Sequence, residues 1–492
     1  MTEKKVFFSS RLGFILTSLG MAFGAGNIWR FPREVATYGG GAFLIAFIIA
    51  TLVWAVPLLM IEMVMGKKTR LGTNGAFKNF VGKKYTWMGI WTGIVAVLIM
   101  VYYSVVTGWA IRYFVVGVGG EIKPGVDSDV LWKSFLDTPW ALLFHVIAAL
   151  IAGFIIIRGV QKGLELANKI IVPSIVIILA GVMIWSLTKP GAMAGMNYMF
   201  NPNFSGLLRA DVWLAAFTQA AWSVGAGWGL MITYSSYMGD DDDIGANAFI
   251  IALADSGSSL LAGMAVIPLV FAMSPSIEAA NQALTGSTNT GLTFVYMTKL
   301  FPNLPGGSIL ASIFFFALAI SALASLLSML ELLVKNFVDV GISRKKAGII
   351  TTIVIIIFGA PSALKNAFFE NQDFVWGVGL LFSGVFIAFA AYSMGVENMR
   401  QMIEKESWIK IGKWFNICTY ALPVIFVAVL AWWVWQSITW YPKTWMNPLE
   451  MYSPMTMLLQ WAFLIVLSLA LNNYVADKIT LPSTLPHIKE AK

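Results

Sequence analysis

Cysteine and histidine are the scarcest chemistry in this chain. A single cysteine, Cys418, in 492 residues excludes an internal disulfide and any cysteine-cluster metal centre. Two histidines, His145 and His487, are too few to build a histidine-based metal site. There is no HExxH, no phosphate loop and no nucleophile–base pairing motif, and the glycine clusters do not follow strands. An enzyme is therefore not expected. Charge is scarce as well. Asp, Glu, Lys and Arg make up 12% of the chain against 58% hydrophobic residues, and mean hydropathy is +0.76. That balance excludes an ordinary soluble domain and indicates a polytopic membrane protein. The net charge of +8 does not call for nucleic acid, because the basic residues lie between apolar runs, where the positive-inside rule places them.

Apolar runs long enough to cross about 30 Å of hydrocarbon fall at 11–37, 41–66, 87–118, 139–158, 165–187, 212–238, 245–273, 306–338, 347–363, 373–396, 414–438 and 450–474. About twelve transmembrane helices are expected. An even number puts both termini on one side. If that side is the cytoplasm, 23 of the 33 Lys and Arg lie inside, so both termini are read as cytoplasmic in a cell (inner or plasma) membrane. Two outer segments, 119–138 and 274–305, are long, and the second reads as short helices at 276–284 and 292–301 over the mouth. Tryptophans 432, 433, 435, 440 and 445 read as an interfacial belt.

Two runs are broken where a membrane helix should be continuous. The first carries Gly20, Gly24, Gly26, Asn27, Arg30 and Pro32; the sixth carries Ser223-Val-Gly-Ala-Gly-Trp-Gly229. Backbone freed in lipid must face protein, an ion or a ligand. One break alone also reads as a flexible kink, since glycine is common in membrane helices. Two breaks five spans apart point to an inverted repeat with a site at its interface. The expected architecture is all-α: a 5+5 inverted repeat (11–187 and 212–396), with broken helices 1 and 6, plus helices 11 and 12 (414–474), forming one transporter domain over 1–492.

At this point the residues resemble a known family. Gly26-Asn-Ile-Trp-Arg-Phe-Pro32, Tyr38-Gly-Gly-Gly-Ala-Phe43, Pro57-Leu-Leu-Met-Ile-Glu62, Tyr102-Tyr103, Ile232-Thr-Tyr-Ser-Ser-Tyr237 and Gln372-Asp-Phe374 are similar to neurotransmitter:sodium symporters, in order and register over spans one to ten. The bacterial members, the leucine transporter among them, are the comparison. The resemblance implies a sodium-coupled secondary symporter of a small neutral amino acid or related amine, working by alternating access. In that pattern Ala25 and Gly26 amides and the Tyr103 hydroxyl would meet a carboxylate. Carbonyls of Ala22, Trp222 and Ser223, with Ser325, would meet the amine, and Met21, Ile99, Trp222, Gly225, Trp228 and Met329 would line the side-chain pocket. Trp222 and Trp228 are large, which favours a small substrate, while their faces would also suit a methylated ammonium.

The resemblance further implies one or two sodium ions, each wanting about five or six oxygens, extending to sodium the preference of other hard cations. The first site would use Ala22, Asn27, Ser223 and Asp255, the last an acid where relatives carry asparagine. Asp255 near Ser259 implies that chloride is not required. The second site would use Gly20, Phe23, Ser321 and Ser325, but its remaining side-chain position is Ala324, which has no oxygen. Arg30 and Asp373 would form the outer gate, and Lys5 and Asp339 the inner one, with Phe8 in place of a usual tryptophan. Glu62 is expected in a buried polar network near span six, with a proton-carrying role as the alternative. Two further readings stay open: a proton-coupled or sodium-independent exchanger, and a non-transporting substrate sensor. The expected partners are a small-molecule substrate and the bilayer, with the protein a monomer or homodimer and no nucleic acid.

Overall fold

The computed structural model describes residues 6–286 and 290–480. Among them there is no strand, only an isolated bridge between Gly40 and Pro202. Ten helices of the described residues are long and apolar enough to cross a membrane: Gly41–Thr69, Lys83–Val118, Pro139–Ile157, Val160–Leu187, Ile244–Met273, Gly307–Asp339, Arg344–Leu364, Asn366–Met394, Trp414–Trp440 and Pro454–Lys478. They are spans 2, 3, 4, 5, 7, 8, 9, 10, 11 and 12. Span 1 is a bent pair, Arg11–Ala22 and Ala25–Thr37, with 53° between its halves, and brings the count to eleven. The segment expected as span 6 is split into Ala210–Ser223 and Leu230–Ser235, and its six-residue gap (224–229) keeps it from counting as one helix. The difference from twelve therefore lies in the second break.

Spans 3 and 8 pack along their lengths and form the centre with the broken spans. Packing partners exchange under a shift of five spans. Span 3 meets 4 and 10 where span 8 meets 9 and 5, span 2 meets 6 where span 7 meets 1, and 4 meets 9. In the most apolar stretch of spans 3 and 10, 78% of residues are buried, against 22% in span 11 and 33% in spans 5 and 12, which therefore stand at the periphery.

Interior packing is aromatic. Phe294, from the short helical stretch Gly291–Tyr296, stacks on Trp132 at 4.9 Å and packs on Tyr113 and Phe315. That stretch and the helix Ile277–Thr285 are the short elements expected over the mouth. The N-terminal side is closed by backbone and ionic ties. Phe8 donates its N–H to Tyr237 O at 3.0 Å, and its ring packs on Phe14, Tyr234 and Tyr237. Arg70 bonds Met238 O and Asp240, and Tyr237 donates to the buried Glu331, which Arg344 also holds at 2.8 Å.

Candidate functional site

The two breaks converge in the middle of the fold. In span 1 the helix stops at Ala22; Phe23 (ψ 58°) and Gly24 (ψ 173°) turn the chain before it resumes at Ala25. Carbonyls near this turn lose their helical donors. Met21 O accepts from Ser325 Oγ at 3.1 Å, and Phe23 O accepts from Ser321 Oγ. In span 6, Gly225, Gly227 and Gly229 have φ of 71°, 89° and 78°, which side chains disfavour.

Glu62 of span 2 braces this second break. It is fully buried; Oε1 accepts from Gly227 N at 2.6 Å, and Oε2 from Met231 N at 3.1 Å and Ile232 N at 3.3 Å. The carboxylate stands in for the missing helical carbonyls, the compensation that a broken helix in lipid demands. This is the buried network expected for Glu62.

Beside the first break lies an oxygen cluster. Asn27 Nδ2 donates to Asp255 Oδ1 at 2.7 Å and Ser258 Oγ at 2.8 Å. Ser223 Oγ donates to Asp255 Oδ2 at 2.6 Å and lies 3.3 Å from Asn27 Oδ1 and 3.4 Å from Ser259 Oγ. All five residues are at most 6% exposed. Among the described residues, amide and hydroxyl donors and no cationic side chain act on Asp255. A buried carboxylate without a counter-charge is costly. An oxygen-lined pocket of this kind suits a hard cation, so the residues present fit sodium as a co-substrate. Ser258 was not anticipated, although its place three residues after Asp255 on one helix was a usable signal.

A cavity of about 100 Å³ is lined by two residues of this cluster, Asn27 and Ser223. Of the expected substrate residues, Met21, Ala22, Gly26, Tyr103, Trp222, Ser223, Gly225, Trp228, Ser325 and Met329 line it, as does Asn27. Two expected residues do not. Ala25 is fully buried and its N–H donates to Tyr103 Oη at 3.1 Å, leaving Gly26 as the wall at the helix start. Ile99, one turn before Tyr103, is fully buried in the core behind the lining residues. Trp222 and Trp228 meet edge to face at 5.3 Å, and Trp228 Nε1 is fixed on Ala221 O at 3.1 Å. Gly24, Val106, Gln219 and Phe369 also line the cavity; apolar Val106 and Phe369 had no chemical signature to mark them.

Arg30, Trp222 and Asp373 border both this cavity and a vestibule of about 610 Å³ on the side away from the N-terminus. The expected Arg30–Asp373 gate is not formed. Arg30 Nε lies 3.5 Å from Glu34 Oε1, and its guanidinium sits 5.8 Å from the Trp222 ring centre. Glu34, four residues on along the same helix, competes for the arginine, a local pairing that i,i+4 geometry favours. At the other end, Asp339 pairs with Lys335 at 2.6 Å and accepts Gly72 N–H at 2.5 Å. Its expected partner Lys5 lies outside the described residues. Arg30, Trp222 and Asp373 thus stand between the cavity and the vestibule, while the N-terminal side is tied shut.

The second expected ion site has serine hydroxyls before and after Ala324 on span 8. Ala324 is fully buried without an oxygen, but Ser321, one turn earlier, places its hydroxyl on Phe23 O, and Ser325 is on the adjacent Met21 carbonyl. Gly20 packs so closely on Asn168 that a Cβ there would lie 1.9 Å from Asn168 Oδ1, an atom buried with no hydrogen-bond partner. Sequence reading missed Asn168, since a lone asparagine in span 5 carries no pattern.

Comparison with known proteins agrees with this geometry. The sodium:neurotransmitter symporter family model matches residues 5–125 and 130–480. An uncharacterised sodium-dependent transporter of Methanocaldococcus jannaschii is 33% identical, covering 86% of this chain and 89% of its own. A Bacillus subtilis sodium-dependent transporter, YhdH, is 28% identical over 87% of this chain and 97% of its own. The crystal structure of MhsT in complex with L-phenylalanine superposes with a TM-score of 0.76 at 29% identity, covering 87% of this chain and 99% of that one. The two breaks, the oxygen cluster between them and these matches place the chain in one group: it belongs to the sodium:neurotransmitter symporter family, whose members are membrane transporters and not enzymes.

Proposed function

We propose that this sodium-dependent transporter is a symporter that takes up a small neutral amino acid or a related amine by alternating access. The observation that carries this reading is the sharing of residues. Ala22, Asn27 and Ser223 line the substrate cavity, while Asn27 and Ser223 also bond Asp255. A cation held by Asp255, Asn27 Oδ1 and Ser223 Oγ would sit next to a substrate carboxylate at Gly26. Each would stabilise the other, and that mutual stabilisation is the coupling. Tyr103, already accepting from Ala25, keeps its own proton to donate to the carboxylate.

The size of the cavity supports a small substrate. At about 100 Å³ it is a small fraction of the vestibule's 610 Å³ or so. MhsT, a relative by structure, is seen with L-phenylalanine, which supports an amino acid as the class. The two tryptophans argue for a smaller one here.

In the reading we favour, residues 11–187 and 212–396 are the two repeats, the termini are cytoplasmic, and the vestibule faces outside. Substrate would then draw Arg30 from Glu34 towards Asp373, closing the outer side, and the ties at Phe8, Arg70 and Asp339 would open in turn. A second ion is supported by Ser321 and Ser325 at the first break. Asp255 supplies the resident negative charge that makes chloride unnecessary. The test is uptake by proteoliposomes in sodium chloride and in sodium gluconate. Equal rates are expected, with Asp255→Asn losing most transport or gaining a chloride requirement. A strict chloride requirement in the unaltered protein would overturn the assignment of Asp255.

A further inference from the structure

A further cavity, of about 320 Å³, lies on the N-terminal side between spans 3, 8 and 12, and shares no lining residue with the transport cavity. Its walls are apolar: Ile94 and Val97 from span 3, Leu333 and Phe337 from span 8, Val475 from span 12. Asn336 closes the inner end and is itself satisfied, bonding Thr73 Oγ1 at 3.0 Å and Leu332 O at 3.1 Å. The other end carries Tyr474, 60% exposed, and Lys478, whose Nζ lies 2.8 Å from the Tyr474 hydroxyl. An apolar slot on a peripheral helix, ending in a cation and a phenol at a helix terminus, matches a lipid in shape and polarity.

We propose that this groove seats an anionic phospholipid of the leaflet on the N-terminal side, with an acyl chain in the slot and the phosphate at Lys478. The charge pattern selects the anionic head. Asp477, the acid next to Lys478, is bridged to Lys83, and no ion pair within 4 Å involves Lys478 among the described residues. Lys84, next to Lys83, lies over the Tyr85 ring at 5.5 Å. The rim is also pre-built. Asn472 of span 12 accepts Trp87 N–H at 2.8 Å and donates to Lys83 O at 3.2 Å. Lys78 Nζ holds the carbonyls of Ala476 and Ile479 at 2.7 Å each. Span 12 is thereby fixed against the start of span 3, so no rearrangement is needed to receive the lipid. Basic pockets between helices at a membrane surface are a known class of headgroup site. Because spans 3 and 8 carry Tyr103 and Ser325 further along, a lipid wedged between their ends bears on the transport core.

The experiment uses the full chain in micelles dosed with dioleoyl-phosphatidylglycerol, dioleoyl-phosphatidylcholine or glycerol 3-phosphate, reading the melting temperature. Phosphatidylglycerol should raise it; phosphatidylcholine and the chainless headgroup should not. Lys478→Gln should lose at least half of the phosphatidylglycerol shift, Lys478→Arg should keep it, and Val97→Trp, which fills the slot, should abolish it. If Val97→Trp does not fold, native mass spectrometry of the unaltered protein and Lys478→Gln should show fewer retained phosphatidylglycerol molecules on the variant. Equal shifts with both lipids, a full shift in Lys478→Gln, or equal retention would overturn the proposal.

Discussion

Replacing Glu62 with glutamine tests whether this buried acid braces the broken helix or carries a proton. The carboxylate accepts three backbone N–H groups, one on Oε1 and two on Oε2. Glutamine keeps one acceptor oxygen and adds an NH₂ that can only donate. With its oxygen turned to Met231 and Ile232, the Gly227 N–H is orphaned; turned the other way, two donors are. The smaller loss, one buried unsatisfied donor, costs about 1–3 kcal/mol. At about 2.1 cal/mol/K of unfolding entropy per residue, in a chain of 492 residues that lowers the melting temperature by about 1–3 °C. The break positions Ser223 and Gly225, so maximal uptake should fall several-fold, while the pH dependence of the remaining transport stays as it was. The assays are thermal unfolding in detergent and sodium-driven uptake between pH 6 and 8. Unchanged stability together with a lost pH dependence would refute the brace and favour proton carriage.

Trp228→Phe removes the bond to Ala221 O and enlarges the cavity. Uptake of larger side chains relative to alanine should rise at least about tenfold, on the scale of a methylene or more of pocket space; an unchanged preference in a substrate panel would contradict the proposed pocket. Ser321→Ala removes the hydroxyl next to Phe23 O. Half-saturating sodium should rise about three- to tenfold, from ~1 kcal/mol per hydrogen bond, with a Hill coefficient closer to one; an unchanged sodium curve would count against a second ion there. Glu406, in the loop after span 10, accepts from Lys67 at 2.7 Å and from Lys68. Burial pushes its carboxyl up, but the two lysines outweigh it and hold it below the ordinary value. Its contribution is therefore present above the unfolded value of about 4.3 and lost as pH falls through the lower folded value. Glu406→Gln should melt lower at pH 7 and show a flatter acid limb, read by unfolding scans from pH 7 to 3.

Much of the site was legible because its chemistry is out of place in a membrane. Gly225, Gly227 and Gly229 interrupt an apolar run, and each adopts the positive φ that explains its presence. Asp255 and Glu62 are acids in apolar helices, and both end in dense hydrogen-bond networks. What could not be read was competition between partners. Arg30 has two acids within reach of its turn, and nothing in the sequence says that Glu34 holds it in this state. Ala324 leaves the expected second site without one side-chain oxygen, and linear register cannot show that the Ser321 hydroxyl, one turn away, lies on the Phe23 carbonyl. Ala25 and Ile99 belong to the right helices, but a difference of one residue or one turn puts them behind the wall.

The central claim is that the cluster of Asn27, Ser223 and Asp255 couples sodium to an amino acid in the adjoining cavity. It is tested most directly by uptake of labelled neutral amino acids into proteoliposomes, with sodium or potassium outside. The account predicts accumulation of a small neutral amino acid or related amine only with an inward sodium gradient, abolished in Asn27→Ala. Uptake that is equal in potassium, or sodium-dependent substrate binding with no accumulation, would contradict it.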